Sequence, residues 1–421
     1  MKDFNAFLSD LKTLISFKST FSSPKEGMPF GEQAFNALRF FLKRAEDMGF
    51  TVINYDDYAG EVCFGDGEEV GIIGHLDVVP TGIGWNSDPF TLTEKDGVYY
   101  GRGVVDNKSA PLICLYALKE LKDSNISPKR KIRLFVGIDE ESGWRDVEYL
   151  KTKTVLPEYG FSPDGNFPLS YAEKGITEVE FCTPTFKHFR SLSGGTALNA
   201  VCDYAYALAD KDFIDQDKLN KYGLSVNNGK VESFGKAAHG SQPHLGKNAI
   251  LPLLNYINDC GENAQPLINL FLPNGVLSGL SNEQGDTTLS PNLLCERDGS
   301  IFLTCDCRIS APLTEKDVCD YLRKFNLPFT VKTRHPPMMT EKDGWLVSTL
   351  LSSLEQVTGK REKPFSMGGS TFARAFNKGC AFGPEFSDKE YNIHDANECV
   401  SREDLLLWYD IYKASVFNLV K

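Results

Sequence analysis

The sequence predicts two folding units of different class, an α/β domain interrupted by an inserted α+β domain. Three observations carry this expectation. Up to about residue 170, near-continuous apolar strands alternate with amphipathic helices, the pattern of a sheet covered on both faces. From about 176 to 330 the strands, a hairpin and helices follow one another without that alternation. Helical segments of α/β character then return and run to the end of the chain. The expected boundaries are 1–175 and 331–421 for the two parts of the α/β domain and 176–330 for the insertion.

Taken in order, MKDFNAFLSDLKTLISF places Asp3, Asp10 and Lys12 within apolar periodicity and reads as an amphipathic helix, not a signal peptide. EQAFNALRFFLKRAEDMGF (32–50) has helical spacing, EVGIIGHLDVV (69–79) is a buried strand, APLICLYALKELKDS (110–124) a helix, and KIRLFVGIDEE (131–141) a second buried strand. In the insertion, ITEVEFCTPT is a strand. GLSVNNGKVESFG is a hairpin turning at Asn227, Asn228 and Gly229, and NAILPLLNYINDC (248–260) is a helix. SIFLTCDCRIS is a strand, followed by a helix with Thr314 and Asp317 in capping-box positions and a last strand, FTVKTR. That order predicts a ferredoxin-like sheet. Helices follow at about 343–357 and 370–377, and a final one is capped by Ser401 with Asp404 three residues on.

The chain of 421 residues carries 57 acidic against 45 basic residues, a net charge of −12. A surface of that sign repels phosphate backbones and anionic lipids, so neither nucleic acid nor membrane is an expected partner. No apolar run approaches the roughly 18–20 residues that span a bilayer. Eleven cysteines without CxxC pairs read as reduced thiols of a cytoplasmic protein, with Cys305 and Cys307 expected on opposite faces of a strand.

The metal-capable side chains fall at strand ends. His75 and Asp77 end one strand, and Asp106 lies in GRGVVDNK before a helix. Asp139, Glu140 and Glu141 end the next strand, Asp164 lies in SPDG, and His394 in IHDANE. Each has a plainer reading alone: a solvated loop, a helix cap, a turn, a surface histidine. Together, two histidines and several carboxylates at the carboxyl ends of α/β strands supply the N/O set zinc prefers. More carboxylates than one ion needs suggest two ions sharing a bridging carboxylate.

The order HLDVVP, GRGVVDNK, DEESG, SPDG and IHDANE resembles the di-zinc metallopeptidases of the aminoacylase and carboxypeptidase type, especially their bacterial, carnosinase-like dipeptidase branch (the PepV or Xaa-His dipeptidase kind). The resemblance runs from about residue 30 to the C-terminus. In the insertion it rests on GGTALNAV, AHGSQPHLGKNAI and DCRIS. It implies a zinc-peptidase-like α/β catalytic domain with an inserted α+β lid, a cleft between them, and two Zn2+ per subunit, with Co2+ or Mn2+ as substitutes. His75 and Asp164 would hold one ion and Glu141 and His394 the other, with Asp106 bridging and its peptide bond to Asn107 cis. Asp77 would orient the His75 ring, and Glu140 would be the general base. From the insertion, His239 would face the oxyanion, Asn199 would reach the substrate, and Arg308 would clamp its terminal carboxylate. Gly368, Gly369, Ser370 and Thr371 would offer backbone N–H groups from the catalytic domain. The dipeptidases of this branch read GGGTF where this chain has GGSTF, which leaves the reaction type untouched and puts substrate size in question.

The resulting expectation is a cytoplasmic metallo-dipeptidase acting on short unblocked peptides, a monomer or a homodimer through the lid. The alternatives are an amidohydrolase of N-acyl amino acids and a metal-free binding protein on the same fold.

Overall fold

The structure is a computed structural model and describes residues 1–124, 126–271 and 275–421. It divides into two compact units. The larger comprises Met1–Tyr171, Met339–Phe365 and Thr371–Lys421, and the smaller Ala172–Met338 together with Ser366–Ser370.

In the larger unit the strands Glu68–His75, Arg130–Gly137, Tyr159–Ser162 and Lys378–Ala381 are parallel. The sheet continues from Arg130–Gly137 to Ala59–Phe64 and Thr51–Tyr55, both antiparallel. The inner strands are largely apolar on both faces because helices cover them, as the unbroken runs at 70–74 and 134–138 require, and the one buried charge among them, Arg133, is paired with Glu61. Gly71 and Gly160, paired across two neighbouring strands, make room for the Phe376 ring. A Cβ at either position would fall within 2.2 or 2.5 Å of ring carbons. The C-terminal helix Arg402–Leu419 packs against Ser109–Asp123 and Trp345–Thr358. Its Ser401 hydroxyl accepts the Asp404 N–H at 3.0 Å, the cap read from the sequence.

The helix expected at 370–377 is only a 3-10 turn, Phe372–Ala375. The chain must re-enter the sheet at Lys378, and Gly379 lies so close to the Ala373 carbonyl that an added Cβ would sit 2.0 Å from it. No room remains for a further helical turn.

The smaller unit is built on an antiparallel nine-stranded sheet, larger than a ferredoxin-like core. Its central strands are Gly175–Pro184, Ser300–Ile309 and Gly285–Arg297. Asn228 and Gly229, both at positive φ, turn the hairpin between Ser225–Asn227 and Lys230–Phe234. Thr314 and Asp317 form a reciprocal capping box. Cys305 and Cys307 do not point to opposite faces. Both are fully buried in one apolar core, as residues two apart on a strand must be, while Asp306 points the other way.

Candidate metal centre

All five expected ligands lie in the larger unit, three of them at or just beyond the carboxyl ends of its parallel strands. His75 is the last residue of Glu68–His75, Glu141 follows Arg130–Gly137 by four positions, and Asp164 follows Tyr159–Ser162 by two. A crevice at that edge is where open α/β sheets bind ligands. Asp106 precedes the helix Ser109–Asp123, and the Asp106–Asn107 peptide is cis.

The side chains converge tightly. His75 Nε2 is 3.0 Å from Asp106 Oδ1 and 3.6 Å from Asp164 Oδ2. His394 Nε2 is 2.9 Å from Asp106 Oδ2 and 3.3 Å from Glu141 Oε1. Asp106 therefore presents one oxygen to each imidazole. His75, Asp106 and Glu141 each offer a ligand atom within 4.8 Å of the others.

The tautomer of His75 gives the arrangement its meaning. Nδ1 faces the Asp77 carbonyl at 3.1 Å and the Asp77 carboxylate at 3.3 Å, both acceptors, so Nδ1 carries the proton. Nε2 then directs its lone pair at carboxylate oxygens, acceptor facing acceptor. Only a proton or a cation between them reconciles that geometry. Asp77 also accepts the backbone N–H groups of Glu140 at 3.2 Å and Glu141 at 3.0 Å, tying the ring to the next strand end.

The electrostatics point the same way. Burial pushes the Glu140 carboxyl well above the usual carboxylate range, Glu141 up to about 7 and Asp164 upward, each reinforced by neighbouring carboxylates. Burial would raise Asp106 too, but hydrogen bonds from His394 and His75 hold it well below its ordinary value. Hydrogen bonds to Asp106 and Glu141 lift His394 to about 11. At His75, burial opposes the charged ring and is outweighed by Asp164, Asp106 and Asp77. A cluster this short of positive charge, enclosed except on the side of the exposed His394, fits two divalent ions held by imidazole and carboxylate donors.

Four contributors escaped the sequence reading. Asn107 donates from Nδ2 to the Pro163 carbonyl at 2.7 Å and to Asp164 Oδ1 at 3.1 Å. Glu385, just past the end of Lys378–Ala381, is pushed up to about 8 by burial and by Asp106 and Asp164. Its position after a buried strand was the available signal. Arg102 and Glu398 form a buried pair beneath the Asp106 loop. They lie inside quoted motifs, yet nothing in their spacing distinguishes them from surface charges.

The candidates of the smaller unit gather at one place within it. The Gly240 N–H, next to His239, donates to the Asn199 carbonyl at 2.7 Å, and an added Gly240 Cβ would lie 2.2 Å from Asp306 Oδ2. Asp306 binds Arg308 Nε at 2.9 Å and Nη2 at 2.9 Å, and Arg308 Nη1 donates to the Gly368 carbonyl at 3.2 Å. His239 and Asn199 are exposed, and His239 Nδ1 lies 2.6 Å from the Ser241 hydroxyl. Gly368, Gly369 and Ser370 belong with this unit rather than with the catalytic one as the sequence reading had it. Only Thr371 belongs to the larger unit. Two hydrogen bonds tie this strip to the smaller unit, from Arg308 to the Gly368 carbonyl and from the Lys174 N–H to the Met367 carbonyl.

Comparison with known proteins agrees with this geometry. The sequence model described as peptidase family M20/M25/M40 matches residues 71–418. The chain belongs to that family. A Bacillus subtilis relative, "Putative dipeptidase YtjP", is 30% identical over 440 residues, covering 94% of this chain and 92% of its own. A Staphylococcus saprophyticus protein with the same dipeptidase description is 31% identical over 467 residues, covering 100% and 98%. Among solved structures, the aminoacylhistidine dipeptidase of Vibrio alginolyticus matches with a TM-score of 0.63 at 13% identity, covering 100% of this chain and 99% of its own. Human carnosine dipeptidase 1 matches at 0.57 and 15% identity, covering 99% and 97%. The YXEP protein of Bacillus subtilis, described as a dinuclear metal binding peptidase, matches at 0.54 and 12%, covering 99% of each chain. These likenesses show the fold, an α/β catalytic domain with an inserted domain. The M20 chain is accordingly a metal-dependent hydrolase of the peptidase class. Among the described residues, no helix is long and apolar enough to cross a membrane.

Proposed function

We propose that this M20 peptidase is a di-zinc dipeptidase that cleaves short unblocked peptides in the cytoplasm, with Co2+ or Mn2+ able to replace zinc. The observation carrying the proposal is Asp106, whose two carboxylate oxygens face two different imidazole nitrogens at 3.0 and 2.9 Å. His75 and Asp164 would hold one ion, His394 and Glu141 the other, and Asp106 would bridge. When bound, the ions would supply Lewis acidity, easing deprotonation of a water and polarising the scissile carbonyl.

The remaining chemistry belongs to side chains. Glu140, made more basic by burial, takes the proton from the attacking water and returns it to the leaving amine. Asp77 keeps the His75 ring in the tautomer that leaves Nε2 free to ligate. From the smaller unit, His239 donates to the developing oxyanion, while Asn199, Arg308 and Gly368–Ser370, together with Thr371 of the larger unit, orient the substrate. Arg308 already has Asp306 as its anion. It therefore contributes the two N–H bonds not taken by Asp306 and the Gly368 carbonyl rather than an unmet charge. Eleven free thiols without a disulfide support the cytoplasmic assignment.

The N-acyl amino acid reading is not favoured beside dipeptidase-named relatives. The metal-free reading requires a proton on Nε2 of both imidazoles to satisfy the carboxylates they face, and leaves Glu140, Glu141 and Asp164 crowded together with no role. Elemental analysis should find two zinc ions per chain after reconstitution, and a dipeptide panel should release free amino acids with rates that chelation abolishes. Turnover of N-acyl amino acids alone, or turnover that survives complete metal removal, would overturn the proposal. Light scattering distinguishes the two assemblies proposed, a monomer and a dimer formed through the smaller unit.

A further inference from the structure

We propose that Glu398, paired with Arg102, is a positioning residue that fixes Asp106 relative to His394 and so governs the metal ion those two residues would share. The inference rests on the di-metal reading above and concerns residues that touch neither ion nor substrate.

Glu398 is fully buried and uses both oxygens. Oε1 accepts the backbone N–H groups of Val105 at 2.8 Å and Asp106 at 3.1 Å. Oε2 accepts the Gly103 N–H at 2.9 Å and Arg102 Nη1 at 2.9 Å. Its own carbonyl accepts the Gly101 N–H at 3.1 Å. One residue, four positions beyond His394, thus grips the loop from Gly101 to Asp106 at five points. Arg102 closes the circuit: its Nη2 donates to the Asp395 carbonyl at 3.1 Å, beside His394, and approaches the Thr81 carbonyl at 3.4 Å. The two ligand-bearing segments are therefore held to each other through one ion pair, not only through the core beneath them.

The chemistry requires a carboxylate here. Four N–H groups converge on two oxygens, and all four find acceptors only if both oxygens are unprotonated. A glutamine of the same shape offers one oxygen, and its amide would turn N–H groups toward N–H groups. The Asp106 backbone would then shift relative to His394. The contact between Asp106 and His75 has separate support, because Asn107 binds Asp164 and the Pro163 carbonyl on that side. The two ions should consequently respond unequally.

The test is a zinc titration of metal-free protein against a chromophoric chelator, resolving both binding steps, for the parent and for Glu398→Gln, with thermal melting of each metal-free protein. The expected result is one step weakened by about 10–100-fold, the range typical when support of a ligand is lost, with the other near its parental value. Two unchanged steps overturn the proposal. So does an equal weakening of both steps together with a lower melting temperature, since that describes a general stabilising pair. If Glu398→Gln does not fold, Arg102→Lys keeps the charge but lacks the fork that reaches Asp395. The same selective weakening is then expected, and parental affinities in that variant overturn the inference. A parent protein that binds fewer than two ions overturns the di-metal reading itself, and is told apart because the failure appears before any substitution.

Discussion

At the candidate metal centre of the larger unit, charges of one sign crowd together, whereas around Arg308 in the smaller unit they are paired off. Asp106, Glu141, Asp164 and Glu140 share a pocket with two imidazoles, and burial drives most of those carboxyls upward. Asp306 and Arg308, more deeply buried, neutralise each other through three hydrogen bonds. The first arrangement is incomplete without cations, and the second is complete alone. Metal affinity should therefore be written in the larger unit and substrate discrimination in the smaller.

The strongest test of that division is a pair of adjacent residues in the larger unit. Glu140→Gln should lower kcat by about 10²–10⁴-fold, the span of a lost general base, while metal content stays at the parental level. Glu141→Gln should instead lose metal, read by elemental analysis after dialysis. Equal metal loss in both variants would make Glu140 a ligand as well, and loss in Glu140→Gln alone would mean that the two glutamates have exchanged roles.

A smaller effect is expected across the division. His239→Ala should reduce kcat by about 10²–10³-fold with little change in KM and full metal content, as for one lost oxyanion donor. Were metal to leave with His239, the separation of binding from discrimination would break.

The smallest effect belongs to Arg308. Because Asp306 already satisfies its charge, an amidated dipeptide does not strand a buried cation. The parent should favour a free dipeptide over its amide by about 1.5 kcal/mol in kcat/KM, the lower end for a hydrogen bond to a charged group. Arg308→Lys, which preserves a counter-charge for Asp306 but not the planar fork, should shrink that preference. A preference left intact would remove Arg308 from substrate contact.

The ligand-bearing strands were legible because a parallel strand covered on both faces has an unbroken apolar run with a sharp polar end, as at His75 and Asp139. The caps at Thr314 and Ser401 and the Asn228–Gly229 turn were legible for equally local reasons. Strand Phe189–Gly194 was missed because its short segment alternates irregularly, and Tyr204–Ala209 because its strict burial alternation puts alanines inside and Tyr and Leu outside, which hydropathy does not register. Gly285–Arg297 was obscured by Pro291, which ordinarily argues against a strand and here sits where the register shifts. Glu398 was illegible for another reason. Apart from Arg102, its partners are backbone N–H groups, which every sequence supplies and no sequence marks.

The strip Ser366–Ser370 has a consequence for modularity. The smaller unit is not a cassette: it is assembled from two stretches of chain, and Arg308 reaches the second through the Gly368 carbonyl. A chimaera that exchanged only 172–338 with a relative would graft a foreign arginine environment onto a native strip, so recombination that preserves function must carry both pieces together. Substrate preference in such hybrids should follow the origin of five residues nearly thirty positions downstream of the insertion as much as the insertion itself.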